Sequence, residues 1–157
     1  MKKILVILVV LTSCTVKQQI QEKEATVNKQ PRLEIEVKID HNVSFEIKNL
    51  TDSVIYLSKP RRIHIEKFNI DSWESLKILL CPCDAPCKAP AENEELTAGG
   101  LYTLSWNKKE SWCGTERTHN MRNTVYEPVE NGNYRIKIDI LIEKNRTKSI
   151  YKEFKIE

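Results

Sequence analysis

The chain is 157 residues long and carries 25 Lys and Arg against 22 Asp and Glu, a formal charge of +3. That balance excludes the basic surplus of a nucleic-acid binder, and four glycines in all argue against a glycine-rich phosphate loop. The length suits one ordinary domain.

The chain opens MKKILVILVVLTSC: a basic head at Lys2 and Lys3, an apolar run from Ile4 to Leu11, then two small polar residues and Cys14. Eight apolar residues rise only ~12 Å as a helix, far short of the hydrocarbon layer of a bilayer. Basic head, short apolar run and small residues in that order read as a secretory signal peptide over residues 1–13. Leu11-Thr12-Ser13-Cys14 resembles the lipobox of bacterial lipoproteins, with Thr12 a small but less common choice at its place. The resemblance implies cleavage before Cys14, diacylation of its thiol and acylation of the new amine. Several acyl chains anchor stably where one would not. Residue 15 is Thr rather than Asp, which by the enterobacterial sorting rule implies the outer membrane. The expected localisation is the cell envelope, with the membrane as partner through the lipid anchor.

Cleavage removes Lys2 and Lys3 and leaves 23 basic against 22 acidic residues. Cys14 to Pro31 forms the lipidated residue and a polar stretch, TVKQQIQEKEATVNKQP. Lys23 and Glu24 break the apolar stripe a helix would need, so this reads as a flexible tether, spanning ~20–25 Å root-mean-square.

From Arg32 onward the dominant period is two. Leu33, Ile35, Val37 and Ile39 alternate with Glu34, Glu36 and Lys38; Val43, Phe45 and Ile47 follow a turn at Asp40 to Asn42. Further strands are expected at Val54–Ser58, Ile63–Ile65, Leu76–Leu80 and Tyr102–Trp106. NYRIKIDILI then places Tyr134, Ile136, Ile138, Ile140 and Ile142 on one face, and a last strand carries Ile150, Phe154 and Ile156. Strands with one dry and one wet face form antiparallel sheets. About seven to nine of them predict an all-β, antiparallel sandwich over residues 32–157, which the tyrosine corner described below makes immunoglobulin-like.

The stretch CPCDAPC, Cys81 to Cys87, puts three cysteines in seven residues, with Cys113 downstream. In an exported chain, four thiols besides Cys14 read as two disulfides. Two pairings stay open: Cys81–Cys113 with Cys83–Cys87, or Cys83–Cys113 with Cys81–Cys87. A zinc ion on four thiolates would need paired C-x2-C knuckles, which are missing. A copper set of Cys113, His119 and Met121 lacks a second histidine upstream. Redox chemistry asks for C-x-x-C at a helix start, also missing.

Gly132-Asn133-Tyr134 leads into the strong strand as a tyrosine corner does. Together with VSFEIKNLTDSVIYL, ELTAGGLYTLSW and NGNYRIKI, the layout resembles the immunoglobulin-like intracellular proteinase inhibitors of bacteria, over roughly Val43 to Ile140. That resemblance implies a sandwich and raises an inhibitor as an alternative function. It carries over no inhibitory residue, and export and the cysteine insert depart from it.

No G-x-S-x-G, H-E-x-x-H or phosphate loop occurs. His41 and His64 read as surface residues, and Glu34, Glu36, Glu94 and Glu95 as solvated charge. The expectation is therefore a non-enzymatic binding or accessory module without a cofactor or metal. Cys-based metal binding stands third, after the inhibitor. Sandwiches present function on end loops, so the surface expected to meet a protein partner is the stapled loop, Cys81 to Asn93, with Trp112 and Arg117 to Asn123 (RTHNMRN) beside Cys113, and in it Arg117, His119 and Arg122 as contact residues. Trp73, Trp106 and Trp112 read first as core, with Trp112 also carried as a contact residue.

Overall fold

The computed structural model describes residues 32–60, 62–87, 93–143 and 146–157. The leader, Cys14 and the tether lie outside them. Every element among the described residues is a strand, and no helix is long and apolar enough to cross a membrane.

The alternating segments form the strands expected of them. β1 (Leu33–Ile39) pairs with β2 (Val43–Asn49) in register from Leu33↔Asn49 to Ile39↔Val43, and β2 pairs with β7 (Leu101–Trp106). The second sheet centres on β10 (Gly132–Glu143), which pairs along its length with β11 (Arg146–Ile156). Its other edge is shared by two collinear strands, β3 (Ile55–Ser58) and β4 (His64–Asn69). β6 (Asn93–Leu96) extends β3, and β5 (Ser72–Ser75) extends β4. The order β1-β2-β7 against β3/β4-β10-β11 is the A-B-E and C-F-G order of an immunoglobulin sandwich.

Val43, Phe45 and Ile47 of β2 and Leu104 and Trp106 of β7 are buried against Leu57, Ile65 and the Tyr134–Ile140 face of β10. Rings bridge the sheets: Phe45 meets Phe154 at 5.4 Å and Trp106 meets Tyr134 at 5.9 Å between centroids. Each fully buried large apolar side chain contributes about 1.5–3 kcal/mol. On edge strand β1 only Ile35 is fully buried, and Ile39 is exposed. The tyrosine corner is formed, since the Tyr134 hydroxyl donates to the Glu130 carbonyl.

The described residues form eleven strands, against about seven to nine expected. The four-residue β5 and β6 are too short to show a period. The longer β8 (Lys109–Thr118) and β9 (Met121–Pro128) were not foreseen either. Conversely, Leu76–Leu80 is not a strand. Its first amide bonds to Ile65 of β4, and its later groups turn to β8 and bond there partly through side chains, so no continuous ladder forms. Trp73 is not core either; it lies on the outer face against Phe68, 5.1 Å between centroids.

One buried polar residue holds the end of β2. Asn49 is fully buried, and its amide shares two protons among the carbonyls of Ser53 (2.7 Å), Leu96 (2.9 Å) and Thr97 (3.0 Å). Its side-chain oxygen accepts from the Thr51 amide and hydroxyl, at 2.9 and 2.7 Å. Backbone bonds to Gly99 and Gly100 complete the tie, with Gly99 at φ 69°, a conformation that favours glycine. Asn49→Ala would strand three carbonyls, so unfolding in denaturant should show a loss of roughly 2–4 kcal/mol. A loss under about 0.5 kcal/mol, the scale of an ordinary surface substitution, would remove this residue from the framework.

Candidate functional site

β8 and β9 form a separate two-stranded ribbon that pairs with neither main sheet. Its root is tied to the core. Trp106 donates through Nε1 to the Lys109 carbonyl at 2.9 Å, the Val129 amide donates to Lys108, and Tyr134 holds Glu130. At the tip, Thr118 pairs with Met121 across His119 and Asn120, at φ 52° and 65°. Two consecutive positive φ values are those of a type I′ hairpin turn. Between Cys113↔Thr124 and Arg117↔Arg122 three residues of β8 stand opposite one of β9. Gly114 lies in this bulge, where a Cβ would come within 3.0 Å of the Val125 side chain.

An isolated ribbon is at best marginally stable in water. Here Leu76 to Cys87 lies along one of its faces. Ser111 donates its amide to the Lys77 carbonyl at 2.7 Å and accepts from the Leu79 amide at its hydroxyl at 2.8 Å. The Lys77 amide donates to the Glu110 carboxylate at 2.8 Å. Farther out, the Cys83 amide donates to the Thr124 hydroxyl at 3.0 Å, and Cys83 is bonded to Cys113.

The disulfides are Cys83–Cys113, with Cα atoms 5.6 Å apart, and Cys81–Cys87, at 6.1 Å. Of the two pairings left open by the sequence, the second is present. All four thiols are thereby paired, so neither a four-thiolate site nor the Cys113–His119–Met121 set is assembled. In the chain-entropy account the bond to Cys113 contributes about 3–4 kcal/mol by closing the longer loop.

Asp84 completes the clamp. It sits at φ 55°, inside the turn closed by the Ala85 amide on the Pro82 carbonyl. Its carboxylate accepts from Arg122 Nη2 at 2.6 Å, from Nε at 3.0 and 3.1 Å, and from the Arg122 backbone amide at 2.9 Å. The guanidinium bonds first, and the backbone amide next, hold the Asp84 carboxyl well below the usual carboxylate range. The forked geometry is what makes an Arg–carboxylate pair specific in direction.

The ribbon therefore carries all four residues expected at a contact surface, in different roles. Trp112 is half-buried, opposite Val125, with the Lys77 ammonium 5.8 Å from its ring centroid. Arg122 is engaged by Asp84 and is a structural anchor rather than a free contact. Arg117 is exposed and braces the turn, donating to the Asn120 carbonyl at 3.2 Å. His119 is exposed at the tip. Met121, part of the expected RTHNMRN segment, is 47% exposed beside the turn, and Tyr126, which the sequence reading missed, is 54% exposed nearer the root, opposite Ser111. The signal for Tyr126 would have been the hairpin itself, which the polar composition of RTHNMRN concealed.

A second cluster lies on the outer face of the β10 sheet. The Arg135 guanidinium sits 4.4 Å from the Trp73 ring centroid and 4.2 Å from that of Tyr151, and pairs with Glu66 at 2.5 Å. Its cation is satisfied on both ring faces and by a carboxylate, and it serves the sheet. A scan of the chain against protein-family models finds no match, and neither does a search of curated proteins.

Because the Asp84 carboxyl titrates low in the folded chain, the clamp is at full strength above the ordinary Asp value of about 3.9. It weakens only as pH falls through the lower folded value. Protection of the Arg122 amide, relative to the exchange of a free amide at the same pH, should therefore persist at about pH 4, near the free carboxyl value, and be lost in stronger acid. Asp84→Asn should expose that amide at neutral pH while both disulfides persist. Unchanged protection in the variant would mean that the disulfide alone seats the loop.

Proposed function

We propose that this chain is a non-enzymatic binding or accessory module of the cell envelope, anchored by lipid at Cys14 and held off the bilayer by the tether. Its contact surface is the outer half of the β8–β9 ribbon. The observation that carries this reading is the clamped ribbon: two disulfides and a forked ion pair hold a projecting hairpin whose tip keeps Arg117, His119 and Met121 exposed. Order is imposed on the surface before any partner arrives, which lowers the entropic cost of binding. Paired thiols of this kind persist in oxidising compartments, which agrees with the leader. A second reading, a proteinase inhibitor, is favoured by the strand order and the tyrosine corner alone; near-stoichiometric inhibition across a protease panel would promote it over the first.

The test uses the chain in cells that export it. Cys14→Ser should move the protein from the detergent phase to the aqueous phase, and persistence in the detergent phase would contradict the anchor. A photo-crosslinking side chain at position 121 should give a discrete adduct, and one at exposed Asn133 should give none. Adducts from position 133 but not 121 would put the contact surface on another face.

A further inference from the structure

The second sheet has a gap. β10 pairs with β4 through residues 134–137 and with β3 through residues 140 and 141, so Ile138 and Asp139 face no strand on that edge. Near this break Lys59 takes φ 47° and the Arg62 amide bonds to the Lys59 carbonyl at 3.0 Å. A cavity of about 200 Å³ lies there, lined by Ile47, Leu57 and Ile138 and by Lys59, Arg62, His64 and Lys137.

Arg62 and His64 also border a second hollow, a groove of about 610 Å³ at the end of the sandwich. One side of it is apolar, with Ile63, Leu76, Ile78, Leu79 and Leu80, and Asn42, Ser105 and Asn107 make the other side polar. Leu79 and Leu80 remain 37% and 42% exposed. Apolar side chains left open together in a groove mark a site that something covers.

The cations around the first hollow are not balanced. Asp139 is the one carboxylate lining it, and it already accepts from Ser149 at 2.6 Å and lies 3.4 Å from the Lys137 ammonium. Among the described residues, the side chains of Lys59, Arg62 and His64 have no hydrogen-bond or ionic partner. Elsewhere Lys38, Lys67, Arg122 and Arg135 each meet a carboxylate. Unpaired Lys59 and Arg62 at the head of a groove with one apolar side have the complementarity of one ligand chemistry, an anionic head joined to a hydrocarbon chain.

We propose that these joined hollows bind a free fatty acid, its carboxylate among Lys59, Arg62 and Lys137 and its acyl chain along Leu76 to Leu80. The site is separate from the ribbon tip and rests on different observations. A single groove takes one chain, and a mouth lined by Lys59, Arg62 and Lys137 takes one carboxylate without a metal.

The test is titration of the full chain carrying Cys14→Ser, which removes the competing lipid anchor, with laurate, dodecanol and acetate. Laurate should bind one-to-one and shift the amide resonances of His64 and of Leu76 to Leu80. Dodecanol, which lacks the charge, and acetate, which lacks the chain, should each bind at least about tenfold more weakly, the scale of one charge-assisted hydrogen bond. Lys59→Ala with Arg62→Ala, both exposed and free of structural partners, should weaken laurate by a similar factor and leave dodecanol unchanged. Absence of laurate binding, equal binding of dodecanol, or indifference of laurate to the double substitution would each overturn the proposal.

Discussion

A two-stranded ribbon that joins no larger sheet loses conformational freedom along both strands and regains only one row of backbone bonds. The β8–β9 ribbon is in this position, and everything assigned to its outer half depends on how the deficit is met. The Cys83–Cys113 bond meets most of it by removing loop entropy from the unfolded chain. The second disulfide narrows the loop that delivers Cys83, and Pro82 and Pro86 restrict the backbone between the thiols. The Asp84–Arg122 fork then fixes orientation, which a single covalent bond leaves partly free. Covalent linkage and ion pair act at neighbouring points: Cys113 pairs across the ribbon with Thr124, two residues from Arg122.

The sandwich supplies the foundation. Trp106 and Tyr134 lie on opposite sheets and touch at the root of the ribbon, each with a polar tip bonded to backbone at that root. Aromatic residues suit such junctions because a large apolar body packs while one polar atom finds a partner. Asn49 performs the corresponding task at the far end of β2, where its buried amide ties the β2–β3 connection to the end of β6. Among the described residues, no buried side-chain nitrogen or oxygen is left without a partner.

Strands that bury one face against hydrocarbon advertise themselves, and β1, β2, β3, β7, β10 and β11 were legible for that reason. The same physics misled at Leu76–Leu80, whose alternating leucines and isoleucine line a groove instead of a sheet face. β8 and β9 were illegible because the face they bury meets a polar, disulfide-bearing segment, through Ser111, Cys113, Arg122 and Thr124. No period in hydrophobicity records such a contact. The disulfide framework was readable as a pair count but not as a connectivity, because strand geometry at Cys81 and Cys83 admits either pairing. Arg122 illustrates the limit for sites. An exposed arginine beside a cysteine looks like a contact residue until Asp84, thirty-eight residues upstream, is found opposite it. Arg135, Trp73 and Tyr151 make the same point on the outer sheet face.

The ribbon and the cation-headed groove give the module two surfaces of different chemistry, with Leu79 and Leu80 of the groove leading directly into the stapled loop. The central claim is that this loop is pinned to the ribbon by one particular covalent connection. A non-reducing peptide mass map of the chain, exported to an oxidising compartment and fragmented finely enough to separate Cys81, Cys83 and Cys87, tests it most directly. The account predicts Cys83 linked to Cys113 and Cys81 linked to Cys87. Linkage of Cys81 to Cys113, or thiols recovered free, would contradict it and remove the reason for treating the ribbon as a rigid contact surface.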